Sequence, residues 1–414
     1  MSTNGDRTDT GPRGPLDGVK VLDFCWAAVG PISTRLLADF GATVVKLESA
    51  EWPDALRTAA PFKDGRPGLD RSGMFALYSC NKYSLALNLE HPRSKDLVWK
   101  LVEWADVVAE NFGAGTMDRR GFGYDELKKV KPDIIMIRSS NQGQTGPHAR
   151  DGGFGSHVLA LSGLGHASGW PDRLPSHVSI GYVDVLGGFA AIMAVLAALD
   201  YRRRTGRGQC IDMSQLESVI PLMEPLVLDW TANGRDFTRS GNRTPNAAPH
   251  GAYPCSGDDS WCVIAVFSDR EWQAMRRCMG NPQWAADSRF DTLLGRKQNE
   301  DELDSLVAQW TATQSADEMM SALQAAGVPS GTIRNGEGLI NDPQLGHRGH
   351  HVKLESPDLG VHHVPNWGFR PSDTPPAYRE AAPSIGQHAE IVCTGILGMS
   401  DEEFVELLAD GAFE

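Results

Sequence analysis

A single carboxylate, Asp184, stands just ahead of fourteen consecutive residues without charge, VLGGFAAIMAVLAA. The apolar stretch has the composition of a core helix, so an acid at its start needs a reason. One reason is capping, in which the carboxylate accepts hydrogen bonds from first-turn N–H groups. The other is chemistry. A nucleophile or acid–base group placed there has the helix dipole and free N–H groups beside it to stabilise a developing oxyanion. Spacing alone leaves both readings open.

Other reactive constellations are weaker. The loop Cys25–Pro31 (CWAAVGP) follows an apolar run but lacks G-x-G-x-x-G, and no G-x-x-x-x-G-K-[ST] occurs, so neither a dinucleotide fingerprint nor a P-loop is supported. A loop entering a helix still offers backbone N–H groups to phosphate. Two basic stretches could face anions: Asp118-Arg119-Arg120 beside Asn111–Gly115, and Tyr201–Arg207 (YRRRTGR). The second is explained by cations at a helix C-terminus with Gly206 as the stop. Histidines 347, 350, 351, 362 and 363 crowd the late chain, yet there is no H-E-x-x-H and Gly349 interrupts the pair 347/351. They read as a solvated loop, and no metal is expected. No G-x-S-x-G elbow is present.

The elements that would carry these residues alternate. Val19–Phe24 reads as a buried strand, Pro31–Phe40 as a helix with Pro at its first position, and Thr43–Leu47 as the next strand, a crossover unit of about 30 residues. Strand-like Ser84–Asn88, helical Pro92–Trp104, strand Asp106–Glu110, helix Tyr124–Val130 and strand Asp133–Arg138 repeat the pattern. This predicts an α/β fold with an open sheet and helices on both faces. Helices are expected at His157–Leu164 and Asp184–Arg203. Beyond Gly208 the texture changes. Ile211–Asp212 is a short strand at most, Ser214–Leu228 is helical, Gly241–Pro254 is a loop and Ser260–Val266 a strand. Helices follow at Asp269–Cys278, Asn299–Thr313 and Ala316–Ala326, then a hairpin around Asp358–Gly360 and a helix Ser400–Leu408 opened by a capping box, Ser400 with Glu403.

The chain has 414 residues, 41% hydrophobic and 22% charged, which excludes collagen, coiled coil and global disorder and implies more than one domain. With 53 acidic against 39 basic groups the net charge is -14, so no nucleic-acid partner is expected. Met1–Pro15 reads as a mobile tail rather than a signal peptide. The apolar stretch Val183–Leu199 is too short and interrupted for a membrane span, so it reads as a buried helix and no membrane partner is expected. Seven cysteines, an odd number without CxxC spacing, fit reduced thiols in a cytoplasmic protein.

Several stretches together resemble the family III CoA-transferases, the group of formyl-CoA transferase and the carnitine CoA-transferases. They are PLDGVKVLDF (15–24) with Gly30-Pro31, LLADFGATVVKLE (36–48), NKYSLALNL (81–89), ADVVAENFGAG (105–115), DRRGFG (118–123), GQTGP (143–147), the helix from Asp184, YRRRTGRGQ (201–209), Gly241–Pro249 and PSIGQH (383–388). The stretch Asp23–Pro31 with Trp26 is also similar to subunits of succinyl-CoA:benzylsuccinate CoA-transferase.

The resemblance implies an enzyme that moves coenzyme A from an acyl-CoA thioester to a free carboxylic acid, with Asp184 as nucleophile and with aspartyl anhydride and aspartyl-CoA thioester intermediates. It implies CoA-contacting positions at Ala27, Ala28, Cys80, Asn81, Lys82, Asn111, Phe112 and Arg119, and a substrate pocket near Trp26, Gln144, Phe154 and Tyr182. No permanently bound cofactor is implied; coenzyme A and acyl-CoA enter as substrates. Ser49 stands where some members carry a phosphate-binding arginine, and Ser140 and Gln142 replace a lysine and a tyrosine of formyl-CoA transferase. Phosphate anchoring then falls to Arg119, Lys82 and helix N-termini. The glycine-rich loop that closes over the aspartate in formyl-CoA transferase has no counterpart, leaving Gly241–Pro249 as the nearest candidate. α-Methylacyl-CoA racemases share the fold but use a histidine where this chain has Phe154, so the racemase reading is the alternative, as is a non-catalytic CoA-binding subunit. The implied architecture is a Rossmann-like large domain (16–208), a linker helix (209–240), a small α+β domain (241–335) and a C-terminal return (336–414), assembled as an interlocked homodimer or as a heterodimer with a related chain.

Overall fold

The computed structural model describes residues 14–176 and 181–414. The tail expected over residues 1–15 therefore lies, up to residue 13, outside the described residues. The chain divides into two compact units. The larger holds the described residues up to Gly163, those from Gly181 to Asn233, and Gly346–Glu414. The smaller holds Leu164–Ser176 and Gly234–Leu345.

The larger unit is built on six parallel strands: β1 (Lys20–Asp23), β2 (Thr43–Glu48), β3 (Tyr83–Ala86), β4 (Val107–Glu110), β5 (Ile135–Ser140) and β6 (Cys210–Ser214). Their order is β3-β2-β1-β4-β5-β6, with Leu22 in register with both Val45 and Val108. The strands read as short apolar runs because both faces are covered. Side chains alternate between faces. Leu22, Val45, Leu85, Val108 and Met136 join Leu97 and Leu101 of helix Pro92–Trp104 in one core. Val21, Val44, Val107 and Ile135 join Leu36 and Leu37 of helix Val29–Asp39, and Ala191 and Val195 of helix Tyr182–Thr205, in the other. Val392, Cys393, Leu407 and Ala412 belong to the first core, so late sequence completes a face that early sequence begins.

The 24-residue helix Tyr182–Thr205 ends as its sequence suggests. Gly206 adopts φ 70° and donates its N–H to Arg202, while Arg203 and Arg204 pair with Asp200 in the last turn. Its packing rests on two glycines. A Cβ on Gly188 would lie 2.7 Å from Ile32 Cγ2, and one on Gly187 would lie 3.0 Å from Val29 Cγ2. The helix is longer than the spacing suggested, and it contains an 18-residue window apolar enough to cross a membrane. Length thus no longer argues against a span; packing does, because Ala191, Ile192, Val195 and Ala198 are buried against the sheet core. Nor is it a fully buried helix, since Val185, Met193 and Leu196 are exposed.

The smaller unit carries an antiparallel sheet of β7 (His250–Pro254), β8 (Trp261–Ala265) and β9 (Ser330–Thr332), packed on helices Asp269–Cys278, Glu300–Thr311 and Ala316–Ala325 around Trp272, Phe290 and Leu323. The hairpin β10 (His351–Ser356) and β11 (Gly360–Pro365) and the capping box of Ser400 and Glu403 form as expected.

Four expectations change. β6 is a full five-residue strand although Cys210 and Asp212 are exposed, because it is the sheet edge. The helix expected at Ser214–Leu228 breaks at Pro221 into Gln215–Val219, a 3-10 turn and Glu224–Asn233, since Pro supplies no N–H to a helix interior. Residues 250–254, grouped with the preceding loop, form β7. His347 closes the helix Pro343–His347, and His351, His362 and His363 lie on hairpin strands rather than in a loop. Helix Gly73–Ser79, capped by Ser72, had no sequence expectation.

Candidate active site

In the order β3-β2-β1-β4-β5-β6 the connections leave β1 and β4 in opposite directions, which opens a crevice at their carboxyl ends. The segments entering it are Phe24–Ala28 and Asn111–Gly115. Asn111 ties them together: Trp26 N–H donates to its Oδ1 (2.8 Å), and its Nδ2 donates to the Trp26 carbonyl (2.7 Å). Trp26 and Phe112 meet edge to face at 5.6 Å between ring centroids.

These rings help line a cavity of about 410 Å³, within the range of small-ligand sites. Phe24, Leu47, Leu89, Met117 and Phe122 complete its apolar wall, and Ser49, Lys95, Arg119 and Arg120 supply its polar rim. Two carboxylates also border it. Glu48 is neutralised by Arg57 at 2.8 Å, and Glu90 is the other. The Arg119 guanidinium is steadied by Thr116 Oγ1 at 3.0 Å.

Of the CoA positions expected from the resemblance, Phe112 and Arg119 line the cavity, together with Trp26. Ala27, Ala28 and Asn111 form the turn that supports it. Ala27 adopts φ 56° and donates its N–H to Asp54 Oδ1 at 2.8 Å. Cys80, Asn81 and Lys82 are placed differently: all three are buried and none lines this cavity. Burial, then the nearby Asp39 charge, pushes the Cys80 thiol up to about 12. The Asn81 amide donates to Asp39 and the Ala377 carbonyl, and its oxygen accepts from the N–H groups of Arg379 and Glu380. Lys82 Nζ reaches Asp23 Oδ2 (3.1 Å), the Pro31 carbonyl (3.1 Å) and Thr34 Oγ1 (2.7 Å). An ammonium has three N–H groups, so Lys82 is committed to the fold rather than to a phosphate.

Asp184 is the third residue of its helix, not the cap. Gly181, at φ 80°, holds the cap position. The side chain is half-buried. Its Oδ1 accepts from Gln215 Nε2 at 2.7 Å, and Gln215 is itself buried at the head of the helix after β6. The other oxygen, Oδ2, faces bare backbone: a Cβ on Gly155 would sit 2.7 Å from it. Burial raises the carboxyl pKa, and the Gln215 hydrogen bond only partly offsets this. Burial, then the Asp184 charge, raises the Tyr78 phenol. Three residues below Asp184, Gly187 touches Val29, where the helix following the Trp26 turn begins. The nucleophile candidate and the cavity turn thus belong to one packed helix pair.

Phe154 stands at the cap of helix Gly155–Leu161, 70% exposed, with its N–H on His157 Nδ1. Tyr182 is exposed at the first position of the long helix. Gln144 Oε1 accepts from Gly115 N–H (3.3 Å), and its buried Nε2 has no protein partner among the described residues. Gly155, the last residue of the run Gly152-Gly153-Phe154-Gly155, stands beside Asp184 Oδ2. Gly241–Pro249 is pinned within the smaller unit. Gly241 N–H donates to Gly169, Arg243 pairs with Asp301 and Asp304, and Lys297 and Arg296 donate to the carbonyls of Thr244 and Ala248.

Gln215, Gly155, Tyr78 and Lys95 were missed by sequence reasoning. The Gly-Gly-Phe-Gly run was the one local signal. Gln215 meets Asp184 only through the pairing of β6 with β5, which no short pattern encodes.

The model of CoA-transferase family III matches residues 16–389. Succinyl-CoA–D-citramalate CoA-transferase of Chloroflexus aurantiacus is 36% identical over 96% of this chain and 98% of its own length. The β subunit of succinyl-CoA–L-malate CoA-transferase from the same organism is 31% identical over 95% and 96%. The crystal structure of a CaiB/BaiF family protein from Brucella suis superposes with a TM-score of 0.85 at 29% identity, covering 93% of this chain and all of that one. With the parallel sheet, its crevice and a match this long, the chain belongs to CoA-transferase family III and is an enzyme that passes coenzyme A from an acyl-CoA to a carboxylate.

Proposed function

We propose that Asp184 is the nucleophile of this transfer. The observation that carries the reading is its setting: a half-buried carboxylate in the first turn of a helix, one oxygen held by Gln215 and the other facing the bare Gly155 backbone. Burial that disfavours the charged form makes the carboxylate more reactive toward a carbonyl. In the proposed sequence, Oδ2 attacks the thioester carbonyl and the C–S bond breaks, giving a mixed anhydride and CoA thiolate. The thiolate attacks the Asp184 carbonyl, the donor acid leaves as carboxylate, and an aspartyl-CoA thioester remains. The acceptor carboxylate attacks that thioester, the thiolate leaves again, and its attack on the acceptor carbonyl restores Asp184. Water must be kept from both intermediates, and Phe154 on its glycine-flanked segment is the side chain we assign to that task.

The cavity is proposed to hold the nucleotide end of CoA, with its apolar wall against the base and Lys95, Arg119 and Arg120 on the phosphates. Gln144, Phe154 and Tyr182 would border the acyl group. Two of the relatives act with succinyl-CoA, which makes it our proposed donor. A pair of protomers is also proposed. Helix Glu224–Asn233 buries none of its residues, and Leu228 and Trp230 on it are 61% and 57% exposed. Such an apolar surface calls for a partner; a second copy is preferred, and a related chain is suggested by the relative described as a β subunit.

The test is exchange between succinyl-CoA and a panel of carboxylic acids, read by mass spectrometry. Wild type should transfer, D184A should not, and hydroxylamine should convert Asp184 in acyl-CoA-treated wild type into its hydroxamate. Full exchange by D184A would overturn the assignment.

A further inference from the structure

The turn Trp26-Ala27-Ala28 has a shape that its sequence disfavours. Ala27 sits at φ 56°, a region where a Cβ is strained and glycine is the usual occupant. Sheets of this order commonly place glycines in the first turn; here there is none before Gly30. Something else must hold the conformation. Beneath the turn lie two ion pairs with wholly buried side chains. Lys46 Nζ is 2.9 Å from Asp54 Oδ2, and Lys82 Nζ is 3.1 Å from Asp23 Oδ2. Both make backbone contacts inside the turn. Asp54 Oδ1 accepts the N–H groups of Ala27 (2.8 Å) and Leu56 (3.0 Å), and Lys46 donates to the Cys25 carbonyl. Asp23 Oδ1 accepts Cys25 N–H at 2.9 Å, and Lys82 donates to the Pro31 carbonyl.

A buried ion pair is an expensive way to gain stability, and apolar replacements often do as well. Its value here is geometric: it offers a carboxylate oxygen to an N–H that the strained turn would otherwise leave buried and unpaired. We propose that the Lys46–Asp54 pair is the positioning device of the acyl-CoA site, holding Ala27 in the left-handed conformation that turns Trp26 into the cavity against Phe112. Asp54 and Lys46 do not line up with substrate; they act through the turn. The proposal rests on the reading of that cavity as the CoA site.

Three variants decide it. The double variant K46M/D54L removes the pair without stranding a charge, so the fold should survive while Ala27 loses its acceptor. KM for acyl-CoA should rise about tenfold, the scale of one lost buried hydrogen bond, with kcat changed less than about threefold. Adding A27G to that background makes the left-handed turn cheap and should recover about threefold or more of the loss. K46M/D54N keeps a neutral acceptor for the Ala27 N–H and strands no charge, so KM should rise less than in K46M/D54L. If K46M/D54L is insoluble, K46M/D54S replaces it: its short hydroxyl cannot reach both N–H groups, so KM should rise more in K46M/D54S than in K46M/D54N. Unchanged KM in K46M/D54L or K46M/D54S, or no recovery on adding A27G, overturns the proposal. A merely structural pair would lower the melting temperature without moving KM or responding to A27G. If wild type fails to bind CoA, the cavity assignment falls instead. The positioning role would still be read as faster hydrogen exchange over residues 24–32 in K46M/D54L.

Discussion

Asp184 illustrates how little an isolated residue type says before its neighbours are known. In sequence it was equally a cap and a nucleophile; in the structure Gly181 is the cap and the carboxylate is free for other work. Its raised pKa has a consequence for stability. The folded protein holds this proton more tightly than the unfolded chain, so ionising Asp184 costs stability once pH climbs past the unfolded carboxylate value. D184N should therefore melt above wild type at pH 8, with the gap closing toward pH 4, measured by calorimetry. Gln215 has a different job, orienting one oxygen. Q215L should lower kcat about tenfold or more and leave KM for acyl-CoA within about twofold, as expected for an interaction felt mainly by the reacting group. G155A drives a methyl toward Asp184 Oδ2 and should cut kcat by a similar factor while acyl-CoA binding, followed by calorimetry, persists.

At the level of elements, most of the large sheet was legible. Helices Pro92–Trp104 and Tyr124–Val130 carry their boundaries in Pro, Gly and periodicity, and β4 between them opens on two β-branched valines. What escaped has physical reasons. Helix Gly73–Ser79 (GMFALYS) carries no charged residue to mark a polar face, and β6 is an edge strand whose exposed Cys210 and Asp212 break the apolar pattern. Lys82, a CoA position implied by the resemblance alone, has Asp23, Thr34 and the Pro31 carbonyl set around it by the fold, which a local sequence pattern does not encode. The contact between the first and the long helices is the sharpest constraint of this kind. Gly188 faces Ile32 with no room for a methyl, so G188A should destabilise by about 1–3 kcal/mol in urea titrations, the range for overpacking a core. At an exposed helix position Gly→Ala would do the opposite.

For the whole molecule, the bias toward acid now has a place in the account. With a net charge of -14 the protein repels an anionic thioester at long range, and the cavity cations Lys95, Arg119 and Arg120 must act locally. Raising salt from about 50 to 200 mM should change KM for acyl-CoA less than about threefold, because the repulsion and the attraction are screened together. The exposed apolar helix leads to a second expectation at this scale. W230E combined with L228E should shift the sedimentation coefficient from that of a pair to that of a single chain.

One consequence of the closing segment concerns the order of events during synthesis. Leu407 and Ala412 belong to the same core as Leu22 and Leu85, and Phe413 bridges Leu87. The first three strands leave the ribosome with one face of their sheet still open to water. Helix Pro92–Trp104 covers part of it within seconds, and at about 5–20 residues per second the segment that completes it follows tens of seconds later. That face of the core therefore reaches its full complement of side chains only when the last residues of the chain have been made.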